Sequence, residues 1–143
     1  MVEGADESRR LQRGLRLDVR RYPDGLVLAI TGELDIAEAG VMREVFEGLS
    51  QERLSHLIVD LTDLTFTDST GLGVLIRAHK MVEPAGTKLT VVCPPGRIRR
   101  LFALTHLIKV LHVVDTLEEA RAVQEEPATS TPVTAAPTSE VAT

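Results

Sequence analysis

The residues best suited to chemistry lie together in Thr67-Asp68-Ser69-Thr70-Gly71-Leu72-Gly73-Val74-Leu75. An acid precedes two hydroxyls, two glycines follow, and an apolar run begins among them. This order reads as a loop turning into a helix. At a helix start, Asp68 or Ser69 can accept hydrogen bonds from the first free N–H groups, a contribution of ~1 kcal/mol. The same place offers a hydroxyl to a partner or a kinase, with the acids Asp63 and Asp68 close by. Two glycines in a first helical turn each cost ~1 kcal/mol relative to Ala. Stability alone does not explain both, and small residues let another surface approach closely. The local residues leave two readings open: a plain cap, or a site centred on Ser69.

Other chemistries find little support. Ser69 is not in the G-x-S-x-G setting of a nucleophile elbow. The glycines form neither a G-x-x-x-x-G-K-[ST] nor a G-x-G-x-x-G loop. Asp68-Ser69-Thr70-Gly71 has one residue too many for the D-[ST]-G of an aspartic protease. His56, His79, His106 and His112 lack H-E-x-x-H spacing, and none is tied in sequence to Ser69. His79 reads as a packed or half-exposed helix residue. A single cysteine, Cys93, permits no internal disulfide and no Cys/His metal spacing. The expectation is a protein with no catalytic residue, cofactor or metal. A small hydrolase using Ser69 is the enzymatic alternative.

Composition narrows the partners. The chain has 143 residues, a net charge of -5, three Phe, one Tyr and no Trp. Without basic runs or aromatic platforms, neither duplex nor single-stranded nucleic acid is an expected partner. No run approaches the ~18 apolar residues of a membrane span, and no signal-peptide core is visible. A cytoplasmic protein with no membrane partner is expected.

The elements that must position Ser69 follow from periodicity. Residues 1–13 are polar and read as a flexible arm. Leu15, Leu17 and Val19 alternate with polar residues, and Pro23-Asp24-Gly25 supplies a turn into the apolar run Leu26–Thr31, which predicts an antiparallel hairpin. Asp35, with Glu38 three residues on, is placed to cap a helix whose Met42, Val45, Phe46 and Leu49 share one face. Arg43, Glu44 and Glu47 lie opposite. His56–Leu61 reads as a buried parallel strand, and Thr62–Thr67 as a loop. After the junction, Leu72, Leu75, Ile76, His79 and Val82 define one helical face. Lys88–Cys93 and Val110–Val114 read as strands. Between them, Ile98, Leu101, Phe102 and Thr105 mark a short helix, whose other face carries Arg97, Arg99 and Arg100. Thr116 and Glu119 have capping-box spacing for a last helix through about Gln124.

Beyond Glu126, 14 of the 17 residues Pro127–Thr143 are Pro, Ala, Thr or Ser, a composition that predicts a disordered tail. The order predicts one α/β domain over 14–125, with a mixed sheet of about five strands and about four helices. The tail occupies 126–143.

Thr31-Gly32-Glu33-Leu34-Asp35, Val59-Asp60-Leu61-Thr62-Asp63-Leu64 and Asp68-Ser69-Thr70-Gly71-Leu72-Gly73-Val74-Leu75 together resemble the bacterial anti-sigma factor antagonists, STAS-domain proteins of the sporulation and general-stress type. Arg100-Leu101-Phe102, Leu107 and Val110 fit their C-terminal part. The resemblance covers about residues 15–124. It implies a non-enzymatic protein that binds an anti-sigma factor, itself a GHKL-type serine kinase, and so frees a sigma factor. It implies that the kinase phosphorylates Ser69, that a PP2C-type phosphatase reverses this, and that Asp35 is the acidic residue near that serine. Thr67 departs from the pattern, since many relatives carry Met or another apolar residue there. With Asp35, Asp68, Thr70 and Gly71, the helix residues Gly73, Val74 and Arg77 are expected to meet the partner. The alternative is a STAS module serving as scaffold in another signalling or transport complex.

Overall fold

The computed structural model describes residues 6–10, 15–23 and 25–125. Residues 1–5, 11–14 and Asp24, together with the tail predicted over 126–143, lie outside them. One mixed sheet runs β1-β2-β3-β4-β6-β7, with β5 paired to β3 beyond β4. Its strands are β1 Asp6–Arg10, β2 Arg16–Tyr22, β3 Gly25–Leu34, β4 His56–Asp60, β5 Leu64–Thr67, β6 Lys88–Val92 and β7 His112–Val114. The helices are α1 Ala39–Gln51, α2 Ser69–Val82, α3 Arg97–Leu104 and α4 Leu117–Glu125. β2 and β3 form the expected antiparallel hairpin, and β3, β4, β6 and β7 are parallel. No helix among the described residues is long and apolar enough to cross a membrane.

The two sheet faces can be read from strand parity. Leu26, Leu28 and Ile30 of β3, Leu57 and Val59 of β4, and Leu89 and Val91 of β6 join the main core with Met42, Phe46, Leu72, Leu75 and Phe102 from α1, α2 and α3. The intervening Val27, Ile58 and Val92 turn to the opposite face, where Ala120 of α4 covers them. Strands buried on both faces are why these runs are nearly continuous in apolar residues. α4 starts as its sequence predicts: the Glu119 amide donates to the Thr116 hydroxyl (3.1 Å) and the Thr116 amide to the Glu119 carboxylate (3.2 Å). The Arg121 guanidinium then stacks 3.8 Å from the Tyr22 ring centroid, a cation–π contact that ties α4 to β2.

Three expectations need correction. The arm expected over 1–13 contains a strand, since Asp6–Arg10 pairs antiparallel with Arg16–Arg20. It lacks an apolar alternation to announce it, because an edge strand can be held by backbone pairing alone. The loop expected over Thr62–Thr67 contains β5, one of seven strands among the described residues. The last strand begins at His112, because Leu107–Lys109 forms a 3-10 turn that leaves Val110 exposed.

Cys93 follows β6 and is buried. Burial pushes its thiol up from 9.0 to about 11, with Arg99 opposing and Asp115 adding to the shift. The unfolded thiol loses its proton near the ordinary value, whereas the folded one keeps it. Stability contributed by the neutral thiol is therefore full below about pH 9 and is lost as pH rises towards 11. Native protein is expected to resist alkylation at pH 8 and to react freely in denaturant. The Cys93→Ala variant should lose less stability than wild type between pH 9 and 11, as measured by denaturant titration.

Candidate functional site

A bend in β3 builds the site. β3 pairs with β4 over Gly25–Ala29 and with β5 over Gly32–Leu34, with a register shift at Gly32/Glu33. Gly32 has φ 100°, a left-handed value that L side chains rarely adopt. Its amide donates to the Asp63 carbonyl (3.2 Å). This bulge passes β3 from one neighbour to the next and creates β5, whose Leu64 and Thr67 are buried while Thr65 and Phe66 are exposed. Leu34 and Thr67 are register partners. The residues that follow them, Asp35 and Asp68, therefore leave adjacent parallel strands at the same end of the sheet.

Each acid organises the backbone beside it. Asp68 is the N-cap of α2, and its Oδ1 accepts from the Gly71 amide at 2.9 Å. This resolves the choice between Asp68 and Ser69 as cap. Asp35 does not cap α1 directly. Ile36–Glu38 form a 3-10 turn first, and Asp35 holds that turn by accepting from the Ala37 amide (3.0 Å, Oδ1) and the Glu38 amide (3.1 Å, backbone carbonyl). Glu38 is the N-cap residue of α1, without a side-chain cap bond.

Ser69 is the first residue of α2 and is exposed. Its hydroxyl makes no hydrogen bond among the described residues, because Asp68 does the capping. Thr70 is exposed beside it, Asp35 and Asp68 are half-buried, and Arg77 is exposed two turns further on. His56 faces the Thr90 hydroxyl at 2.8 Å inside the sheet, and His79 lies 3.6 Å from Glu83 at the far end of α2. Neither serves Ser69 as a base.

The two glycines separate. Gly71 is buried, and a Cβ there would run into the Thr67 hydroxyl and come within 2.6 Å of the Leu34 carbonyl. The Thr67 hydroxyl in turn donates to Leu34 O at 2.8 Å. Gly71 is thus required by packing under the junction, which the sequence did not disclose. A Cβ at Gly73 would meet nothing within 4 Å, so Gly73 keeps an open surface. Val74 is 7% exposed and belongs to the core, presenting an edge.

That edge lines a groove of about 370 Å³ between α1 and α2. Thr70, Gly73, Val74 and Arg77 border it from α2, and Gly40 and Arg43 from α1. Gly40 and Arg43 were not singled out by sequence. Arg43 reads there as ordinary outward-facing helix surface, and only the packing of α1 beside α2 makes it a groove residue. Phe66, 44% exposed on β5, is a second unforeseen apolar element close in sequence to Ser69. The junction therefore offers an exposed hydroxyl, two nearby carboxylates and a shallow, partly apolar groove. It suits recognition by a protein surface and modification of the hydroxyl.

Residues 16–120 match the family model of the STAS domain. The anti-sigma-B factor antagonist of Bacillus subtilis (strain 168) is 32% identical over 99 residues, which span 69% of this chain and 90% of that protein. Among solved structures, an anti-sigma factor antagonist from Mycobacterium paratuberculosis has a TM-score of 0.69 at 21% identity, covering 82% of this chain and 100% of the other. The Bacillus cell fate determinant SpoIIAA in its phosphorylated form has a TM-score of 0.56 at 20% identity, covering 85% and 100%. At these identities the two structures speak for the fold alone.

Proposed function

This chain belongs to the STAS domain family, among the anti-sigma factor antagonists, and on that premise we propose that it binds an anti-sigma factor and so frees a sigma factor. In this reading the anti-sigma factor is also a GHKL-type serine kinase. Unphosphorylated protein binds it, phosphorylation of Ser69 ends binding, and a PP2C-type phosphatase restores it. The chain itself performs no catalysis and acts in the cytoplasm.

The observation that carries this reading is the division of labour at the start of α2. Asp68 holds the helix end, which leaves the Ser69 hydroxyl exposed and without a structural task. Phosphate added there meets a helix N-terminus, where an anion is tolerated, so the switch acts on docking and spares the fold. The docking face comprises Ser69, Thr70 and the groove rim at Gly73 and Arg77, with Asp35 and Asp68 adding negative charge beside the switch.

The test is direct. Purified protein is incubated with its candidate kinase and Mg-ATP, and the modified residue is mapped by mass spectrometry. The expected result is a single phosphate on Ser69, none in Ser69→Ala, and removal by the cognate PP2C-type phosphatase. Phosphate on Thr70 alone would overturn the site. Recovery from cells of transport or other signalling proteins, with no anti-sigma factor, would favour the scaffold reading instead.

A further inference from the structure

We propose that Arg43 and Arg77 form a carboxylate clamp over the groove between α1 and α2, and that its occupant is an acidic side chain flanked by an apolar one on the anti-sigma factor. The clamp rests on the function proposed above and adds the chemistry of the segment that docks.

The clamp arises from how the two helices lie. α1 leaves β3 and returns to the parallel strand β4, and α2 leaves β5 and returns to β6. Both therefore run back along the sheet from the end that carries Ser69, side by side. Gly40 and Arg43 border the groove from α1, and Gly73 and Arg77 from α2. Each arginine thus stands about one turn beyond a glycine on its own helix. Long side chains on a helix lean back over the turn N-terminal to them. The glycine in that turn leaves the way clear on both helices, and a Cβ at either Gly40 or Gly73 would meet nothing within 4 Å. Both guanidiniums therefore have open space to extend towards the Thr70 end of the groove.

Neither guanidinium is used by the fold. Arg43 and Arg77 are exposed and make no hydrogen bond or ion pair among the described residues. Arg21 and Arg99, by contrast, are held by Glu52 and Asp115. Two unpaired cations over one groove call for an anion, and a guanidinium offers a carboxylate two parallel N–H donors.

The floor between them decides what carries that anion. The edge of Val74, with Ala78 and the half-buried Met81, makes it apolar. A small hydrated anion would leave that floor wet. A peptide segment with an acid beside an apolar residue answers both the cations and the floor. Charge also fixes the direction of docking. Ser69 and Arg77 are eight residues apart on α2, about 12 Å along its axis. Asp35 and Asp68 place negative charge at the junction end, and Arg43 with Arg77 make the groove positive. A partner segment laid along α2 meets both poles favourably in one orientation only.

The test is calorimetric titration of the anti-sigma factor that phosphorylates Ser69 into wild type, Arg43→Glu, Arg77→Glu and Lys109→Glu. Lys109 is exposed on the 3-10 turn after α3 and does not line the groove, so Lys109→Glu makes the same change of charge elsewhere. In about 0.15 M salt each arginine reversal should weaken binding at least about tenfold, and Lys109→Glu less than about twofold. All should melt like wild type. Carbodiimide, which joins lysine amines to carboxylates, gives the direct readout. The lysines introduced by Arg43→Lys and Arg77→Lys should crosslink to an Asp or Glu of the anti-sigma factor. Wild type that binds no anti-sigma factor overturns the function proposed above, and the clamp with it. Wild-type binding that both reversals leave intact overturns the clamp alone. So does a crosslink confined to this chain's own acids. So do reversals that bind normally and lose only the response to phosphate on Ser69, which would assign the arginines to that phosphate.

Discussion

Ser69→Asp is expected to weaken binding to the anti-sigma factor by roughly a hundredfold or more while leaving the melting temperature nearly unchanged. Two separate physical effects set the two halves of this result. On the fold, residue 69 is the first of α2 and its side chain is exposed. A negative charge at a helix N-terminus is worth about 0.3–1 kcal/mol in the fold's favour, and repulsion from the capping Asp68 offsets part of it. At the interface, the charge joins Asp35 and Asp68 at the same sheet end and must be desolvated on docking. Like-charge juxtaposition across or within an interface costs several kcal/mol, and each ~1.4 kcal/mol is a factor of ten. Phosphate, with a charge of about -1.5 to -2, should act more strongly than aspartate. Ser69→Ala should bind as wild type and escape inactivation. Calorimetric titration with the kinase, paired with thermal melts of each variant, reads both halves. Equal affinity of Ser69→Asp and wild type would remove Ser69 from the switch, and an unfolded Ser69→Asp would remove the argument that the fold is spared.

Much of this site was legible in sequence, because caps and strand runs are local. Asp68 before Ser69-Thr70 marks a helix start on any background, and Thr116 with Glu119 formed the reciprocal cap that their spacing implies. What sequence missed depends on partners distant along the chain. Leu64-Thr65-Phe66-Thr67 buries its first and last residues and exposes the middle two, a spacing that lacks the alternation of a strand. It becomes β5 only because the Gly32 bulge delivers the end of β3 to it. Asp35 and Glu38 have the spacing of a capping box, yet the chain inserts a 3-10 turn before α1. The groove likewise appears only once α1 lies beside α2. The depth of Val74 was not legible because a helical wheel gives the direction of a side chain and not the depth of its neighbours.

The glycine pair shows the same limit most sharply, and it sets the second large expectation. By composition Gly71 and Gly73 are equivalent: each should gain up to ~1 kcal/mol of helix stability on replacement by Ala. The structure makes them opposites. A methyl at Gly71 meets the Thr67 hydroxyl and the Leu34 backbone carbonyl, 2.6 Å away. The carbonyl belongs to a paired strand and cannot step aside cheaply. Gly71→Ala is expected to destabilise the domain by about 1–3 kcal/mol, the usual cost of overpacking, and to lower Tm by several degrees. Gly73→Ala should be neutral or stabilising by up to ~1 kcal/mol, since its methyl meets nothing. That methyl projects beside the groove, so any loss of partner affinity in a stable Gly73→Ala protein locates docking on this face. Thr67 offers an internal check. Thr67→Ala removes one of the two obstacles to a methyl at residue 71, and also the hydroxyl bonded to Leu34. The two substitutions share a contact and should not add: Gly71→Ala should cost measurably less in the Thr67→Ala background than in wild type. Denaturant titration of the four proteins closes this cycle. Additive costs would mean that Leu34 alone, and not the Thr67 hydroxyl, fixes glycine at position 71.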